Sequence, residues 1–399
     1  MDPVRNPYSP GAGTRPPALV GRDREIEAMD TALQRLLAGR DGRSQLLTGL
    51  RGVGKTVLLN EFEQLALARG FFHEHIEVSE DAALPGALAG AFRRILLSMD
   101  ARRRIGERAR RALGVLKAFS LRLPDGPELN IDVEAIPGPA DSGNLPDDLA
   151  GLFVELGQVA RDHDTGVLVT LDEVQYLPLD ILSALVVGLH RSAQLRLPIT
   201  VAGAGLPTLA SLTGVAKSYA ERMFTFPIIG SLWPDQATEA LDTPARDEGV
   251  VWEDAALARV LEVSKCYPYF LQAFGKEAWD AADGPDRITV EEVERSLPVA
   301  IAELDDGFFR VRLGRANDSE RSYLRAMAEL GPGPVRSSEV AKLLGKTTNA
   351  LAPTRDTLIK RALCFSPRWG EIDYTVPMFG EFMKRWMPAI PKGSGSSRV

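Results

Sequence analysis

Residues Gly49 to Thr56 read GLRGVGKT and satisfy G-x-x-x-x-G-K-[ST] at each fixed position. Few short patterns restrict a fold as tightly. Gly49, Gly52 and Gly54 let the backbone turn its N–H groups inward without Cβ clashes. Such a loop needs a strand to deliver it and a helix to leave it, because the helix N-terminus puts a positive dipole end beneath an anion. The flanks supply both: SQLLTG is a short apolar strand, KTVLLNEFEQLALARG a helix and FFHEHIEV a second strand. That order is the βαβ unit of a parallel sheet. In this frame Lys55 places a point charge on the β- and γ-phosphates of a nucleoside triphosphate, and the Thr56 hydroxyl ligates Mg²⁺. The remaining loop residues Leu50, Arg51 and Val53, with Val57 on the first helical turn, complete the phosphate cradle. ATP and Mg²⁺ are the expected cofactors.

A second apolar run, GVLVTLDEVQYL, ends in Asp172 and Glu173. Parallel sheets present their ligands at the carboxyl ends of strands, where this pair falls. Asp172 is expected to hold the metal through its water shell, and Glu173 to polarise an attacking water. The expected reaction is therefore ATP hydrolysis, with Lys55 and Glu173 in catalytic roles. Around these motifs DREIEAMDTALQRLL, DDLAGLFVELGQVARDH and LDILSALVVGLHRSAQ read as helices, PITVAGAG as a buried strand and ERMFTFPII as a further strand. An arginine-rich helical stretch from Ala91 to Phe119 offers contacts to nucleic acid or a neighbouring subunit, but reads rather as a solvated helical face or insertion. His73 and His75 share one strand face with no third ligand nearby, so ordinary strand polarity is the reading.

Val20-Gly21-Arg22 before a helix, then the loop, then LDE, then GAGLP at a strand end, resembles AAA+ ATPases, in particular the prokaryotic origin-recognition-type and STAND-like branch. KSYAERMF, YPYFLQAFG and FFRVR strengthen that likeness. The resemblance implies that Val20 and Gly21 pack against adenine. It also implies that Arg222 stabilises charge on the γ-phosphate, in cis or across a subunit interface, with Lys217 a second basic candidate. Tyr267 and Pro268 resemble the Gly-x-Pro lid signature, with Cys266 where glycine would stand. Two departures stand out. PITVAGAG ends in alanine and glycines where relatives carry a water-positioning polar residue, leaving Thr200 earlier on the strand, and Tyr269 stands where a lid arginine is expected. Both losses point to a slow nucleotide-dependent switch.

From Arg315 to the end 14 Lys+Arg face 8 Asp+Glu, while the remainder carries 33 against 46. A basic tail on an acidic body suggests a polyanion partner. SERSYLRAMAEL, SSEVAKLLG and PTRDTLIKRAL read as three helices, with Pro353 in the first turn of the third, followed by two short strands around Arg368-Trp369-Gly370. That order is similar to a winged helix-turn-helix, which binds either DNA or protein. On the DNA reading Lys346, Thr348, Asn349, Arg355, Lys360 and Arg368 make the contacts, with Thr347 a further hydrogen-bonder. On the alternative, a STAND-like signalling NTPase, the module grips a protein partner. Phe365, Trp369 and Tyr374 are expected to pack within the module. Self-association is a further expectation.

The expected organisation is a flexible leader over 1–17, an α/β P-loop AAA+ domain over 18–230 with an insertion near 91–145, a helical lid over 231–312, a winged helix over 315–388 and a flexible tail over 389–399. The two cysteines, Cys266 and Cys364, have no metal-ligand spacing and suit a cytoplasmic location. No apolar run approaches the length of a membrane span.

Overall fold

A computed structural model describes residues 1–11, 13–79, 84–102, 106–123, 133–209, 214 and 220–390. The chain forms two compact units, one of residues 22–49 and 54–229, the other of residues 1–21, 50–53 and 230–399. Among the described residues no helix is long and apolar enough to cross a membrane.

The first unit is built on a five-stranded parallel sheet. Its strands are β1 (Ser44–Thr48), β2 (Phe72–Glu77), β3 (Val167–Asp172), β4 (Ile199–Gly205) and β5 (Phe224–Thr225), in the order β2-β3-β4-β1-β5. β1, β3 and β4 are buried along their whole length, as central parallel strands require. β5 is shorter than the ERMFTFPII run suggests: only Phe224 and Thr225 pair, with Ser44 and Gln45, and Ile228 adds one bridge to Thr48. Among the described residues seven helices accompany the sheet: α1 (Asp23–Leu37), α2 (Lys55–Ala68), α3 (Leu84–Arg102), α4 (Glu107–Arg122), α5 (Leu145–Asp162), α6 (Leu179–Gln194) and the single turn α7 (Ala220–Met223). The arginine-rich stretch is thus two helices. Leu88, Phe92, Leu113, Leu116 and Phe119 bury one face in the unit's core. On the other face Arg94 pairs with Glu74 at 2.7 Å, Arg108 with Asp162 at 3.1 Å and Arg111 with Glu155 at 3.5 Å. Those arginines are matched to acids of their own unit. Arg103, Arg104 and Lys217 lie outside the described residues.

In the second unit, α8 (Pro234–Asp247), α9 (Asp254–Ser264), α10 (Pro268–Ala281) and α11 (Val290–Glu303) pack as a helical group, with β6 (Val251–Trp252) and β7 (Arg287–Ile288) paired in parallel. A π-helical segment, Leu304–Phe309, leads through the single turn α12 (Arg310–Leu313) into the C-terminal module. That module comprises α13 (Asp318–Leu330), β8 (Val335–Arg336), α14 (Ser337–Leu343), α15 (Thr348–Lys360), β9 (Cys364–Phe365), β10 (Glu371–Tyr374) and α16 (Phe379–Trp386). Its antiparallel sheet has the order β8-β10-β9. The helices α13, α14 and α15 followed by the β9–β10 hairpin are consistent with a winged helix, and α16 packs after it. Pro353 lies inside α15 rather than in its first turn: the Thr347 side chain caps the helix by accepting from the Ala350 N–H at 3.3 Å, five residues earlier than the proline suggests. An aromatic group runs through the unit. Tyr269 stacks on Phe308 at 4.5 Å, Phe308 meets Phe309 edge-on at 5.2 Å, and Phe309 stacks on Phe382 at 5.3 Å.

The leader is docked over its first nine residues, contrary to the expectation of a flexible segment. Tyr8, 3% exposed, meets Trp252 and Trp279 edge-on at 6.2 and 6.4 Å. Its hydroxyl donates to Leu241 O and accepts from Trp252 Nε1, and burial pushes the phenol's pKa up. Trp279 Nε1 donates to Asp2 O at 2.9 Å, and Arg5 pairs with Glu248 at 3.0 Å. An aromatic ring this buried outweighs the loop character of its Pro/Gly neighbours. Tyr8→Ala is expected to destabilise the second unit by about 3–5 kcal/mol, seen as a fall of roughly 10 °C in thermal unfolding. An unchanged melting curve would mean that the segment does not dock.

Candidate phosphate and metal site

In the first unit the loop is held at both ends. The Gly49 N–H donates to Gly205 O at 3.1 Å, tying the loop's start to the end of β4. Gly54 caps α2 with φ +90°, and Gly52 has φ +88°, both in the region that favours glycine. Lys55 opens α2, and its Nζ donates to Gly49 O at 3.0 Å. Val57 is buried on the same helix.

Thr56 Oγ1 donates to Asp172 Oδ2 at 2.5 Å, so the loop's hydroxyl and the acid at the end of β3 converge on one point. Asp172 is 7% exposed, and its Oδ1 accepts the Glu173 N–H at 2.8 Å. A hydroxyl and a carboxylate oxygen meeting beside a glycine-turned loop are the donors Mg²⁺ selects, since it takes one or two protein oxygens and leaves its other positions to phosphate and water. The residues fit the group. Among the described residues no cluster of three His, Cys, Asp or Glu could hold a metal unaided. Glu173 adopts φ +55°, ψ +38°, a left-handed conformation uncommon for a residue with a Cβ and of the kind that gathers at functional sites.

The end of β4 carries no polar side chain of its own, and Thr200 is buried in a 3.0 Å hydrogen bond with Ser44. Gln175, which the sequence reading passed over, fills that place. Its Nε2 donates to Glu173 Oε2, and its Oε1 accepts the Leu206 N–H at 3.0 Å. The glycines of β4 make the room. A Cβ on Gly205 would lie 2.9 Å from Gln175 Oε1, and one on Gly203 would lie 2.5 Å from Leu46 Cδ2 and 3.1 Å from Val174 Cγ2. Two glycines at a buried strand's end were the available signal, since they mark a close approach by another segment.

The middle of the loop belongs to the second unit. Arg51 N–H donates to Thr375 O at 3.1 Å, and the Tyr267 hydroxyl donates to Arg51 O. The Tyr269 N–H donates to Gly52 O at 3.2 Å. A Cβ on Gly52 would stand 3.1 Å from Tyr269 Cβ and 3.2 Å from Tyr267 Cε1. Leu50 is half-buried and Val53 buried. Tyr267 caps α10, Pro268 is its first residue, and burial pushes the Tyr267 phenol up. Cys266 has φ +54°, so the residue standing in for glycine does adopt a left-handed conformation. Gly21 has φ +68°, and a Cβ there would meet Gln236 Oε1 at 2.4 Å, while Val20 is half-buried.

The other expected residues are placed apart from these groups. Arg222 is exposed on α7, beside edge strand β5, and the described contacts around Thr56 and Asp172 do not include it. Lys346, Thr347, Thr348, Asn349, Lys360 and Arg368 are exposed, the first four at the start of α15. Arg355 is half-buried, and its Nη2 donates to Ser366 Oγ at 3.0 Å, so it braces the hairpin. Trp369, expected to pack within the module, is fully exposed at the hairpin tip, because Gly370 at φ +79° turns the chain there. Phe365 is buried and Tyr374 half-buried. His75 Nδ1 bonds Glu63 at 2.9 Å and Thr170 at 3.0 Å; the Glu63 contact holds its imidazole above the usual range.

Residues 18–201 match the family model described as an AAA ATPase domain, and residues 306–383 match one described as a domain of unknown function (DUF8462). No curated protein matches the sequence. Among solved structures the chain is similar to the Orc1 protein of Aeropyrum pernix in complex with DNA, at 15% identity over 93% of this chain and 94% of that one, with TM-score 0.43. It is similar to Cdc6p of Pyrobaculum aerophilum at 15% identity over 96% and 97%, with TM-score 0.45. The Thermotoga maritima RuvB Holliday junction branch migration motor is similar at 16% identity over 91% and 96%, with TM-score 0.45. The complete phosphate-loop pattern, the acids at the end of β3, the parallel order β2-β3-β4-β1-β5 and the family match agree, and residues 18–201 belong to the AAA ATPase domain family.

Proposed function

We propose that the chain binds MgATP, hydrolyses it slowly, and uses the nucleotide state to set DNA binding by its C-terminal module. The observation that carries ATP binding is the Thr56–Asp172 hydrogen bond at 2.5 Å. The backbone of residues 49–54 and the first turn of α2 hold the phosphates, and Lys55 leaves Gly49 O for a phosphate oxygen. Thr56 and Asp172 hold Mg²⁺, which screens the charge on the phosphate oxygens when bound. Glu173 accepts a proton from the attacking water. Val20 and Gly21 contact adenine, Tyr267 and Pro268 belong to the lid, and Arg222, exposed on α7, stabilises charge on the γ-phosphate in cis or from a neighbouring copy. Slowness is supported by Tyr269, which gives the loop a main-chain N–H where the resemblance implies an arginine. Coupling is supported by the Arg51–Thr375 hydrogen bond, which joins a loop residue to the C-terminal module.

DNA contact is supported by the exposed Lys346, Lys360 and Arg368 and by Thr348 and Asn349 on the first turn of α15. Phosphate contacts make affinity fall steeply as salt rises. Fluorescence anisotropy with plain duplex DNA is expected to show that dependence, with the affinity differing between ADP and ATP. Lys346→Glu with Arg368→Glu is expected to weaken binding by roughly tenfold or more. A second reading, docking of a protein by the same module, is favoured by the fully exposed Trp369. No binding at low salt in either nucleotide state would discard DNA and leave that reading.

A further inference from the structure

We propose that Gln175 is the positioning residue for the water-activating carboxylate, in place of the polar side chain that β4 lacks. The inference rests on the hydrolysis reading above and adds a residue to it. Gln175 makes two hydrogen bonds of opposite polarity: Oε1 accepts the Leu206 N–H at 3.0 Å, and Nε2 donates to Glu173 Oε2. The first fixes the second. A backbone N–H can be met only by the carboxamide oxygen, so the amide nitrogen faces the carboxylate, the one orientation that satisfies both partners.

The anchor is the base of the phosphate loop. Leu206 follows Gly205, whose carbonyl accepts the Gly49 N–H at 3.1 Å. The path Gly49, Gly205, Leu206, Gln175, Glu173 therefore sets the carboxylate against the loop through four rigid steps. Glu173, whose backbone is left-handed at φ +55°, takes this hydrogen bond on Oε2. β4 is shaped for it, since Gly205 has no Cβ where one would stand 2.9 Å from the carboxamide oxygen. In the reaction the water oxygen bonds to the γ-phosphorus, the bond to the β–γ bridging oxygen breaks with its electron pair, and the water proton passes to the Glu173 carboxylate. Gln175 holds one oxygen of that carboxylate, Oε2. An error in that geometry lowers turnover and not nucleotide affinity.

The test compares wild type with Gln175→Met, which keeps the side chain's length and loses both hydrogen bonds, and with Gly205→Ala, which pushes the carboxamide away while leaving it in the chain. Both are expected to lower kcat by roughly 10- to 100-fold, with ATP affinity within about threefold of wild type. In single-turnover assays on a Glu173→Gln background, Gln175→Met is expected to add no further loss, because the carboxylate it positions is already gone. Wild-type turnover in Gln175→Met would overturn the proposal and leave Gln175 as packing. So would an equal further loss in the Glu173→Gln background. Wild-type protein that binds ATP without hydrolysing it would overturn the hydrolysis reading and this inference together, whereas hydrolysis abolished by Glu173→Gln but untouched by Gln175→Met removes this inference alone.

Discussion

Lys55→Ala is expected to lower affinity for MgATP by roughly 100- to 1000-fold while leaving the fold intact. The ammonium rests on Gly49 O at 3.0 Å, a neutral acceptor that holds it over the loop. A bound triphosphate would offer it charged oxygens instead. Charge-assisted hydrogen bonds of that kind contribute about 1.5–3 kcal/mol each, and losing two of them gives about 3–6 kcal/mol, the lower part of which sets the expected range. Stability should barely change, since Lys55 is half-exposed in the first turn of α2 and alanine is the best helix former. Competition against a fluorescent ATP analogue reads the affinity, and a melting curve confirms the fold. A dissociation constant within about threefold of wild type would put the triphosphate elsewhere.

Glu173→Gln separates binding from chemistry. The substitution keeps the side chain's shape and removes its capacity to take a proton. The groups that hold nucleotide and metal, Lys55, Thr56 and Asp172, are untouched. Removing a positioned general base costs typically 10²- to 10⁴-fold in rate, so phosphate release should fall by about that factor with ATP retained. Loss of binding as well would show that Glu173 supports the metal rather than the water. Unchanged turnover would remove it from the mechanism. If the switch reading holds, this variant is also the one in which the ATP-bound affinity for duplex DNA can be measured without turnover.

The features legible in the sequence were those in which chemistry is tied to spacing. GLRGVGKT fixed the loop, β1 and α2, and the apolar run before Asp172 fixed β3 and the acids at its end. Features that depend on contacts across long separations were hidden. The leader reads as flexible because its prolines and glycines carry no periodicity, yet one side chain, Tyr8, meets two tryptophans more than 240 residues away. β5 reads longer than it is because an apolar run also suits an edge that pairs through only two residues. Pro353 misleads because a proline costs a helix interior one hydrogen bond, while Thr347 sets the true start by capping. Arg355 looked like a DNA contact from its charge alone, and Ser366 captures it. The departure at the end of β4 was seen as an absence, because the carboxamide that fills the space comes from the segment following another strand.

Retention of ADP by the folded protein in equilibrium dialysis, with and without magnesium, tests the central claim most directly. The account predicts about one nucleotide per chain at saturation, with retention falling when magnesium is chelated or when Thr56 is replaced by alanine. Protein that is fully folded by circular dichroism yet retains neither ADP nor ATP at millimolar concentration in magnesium buffer would contradict it.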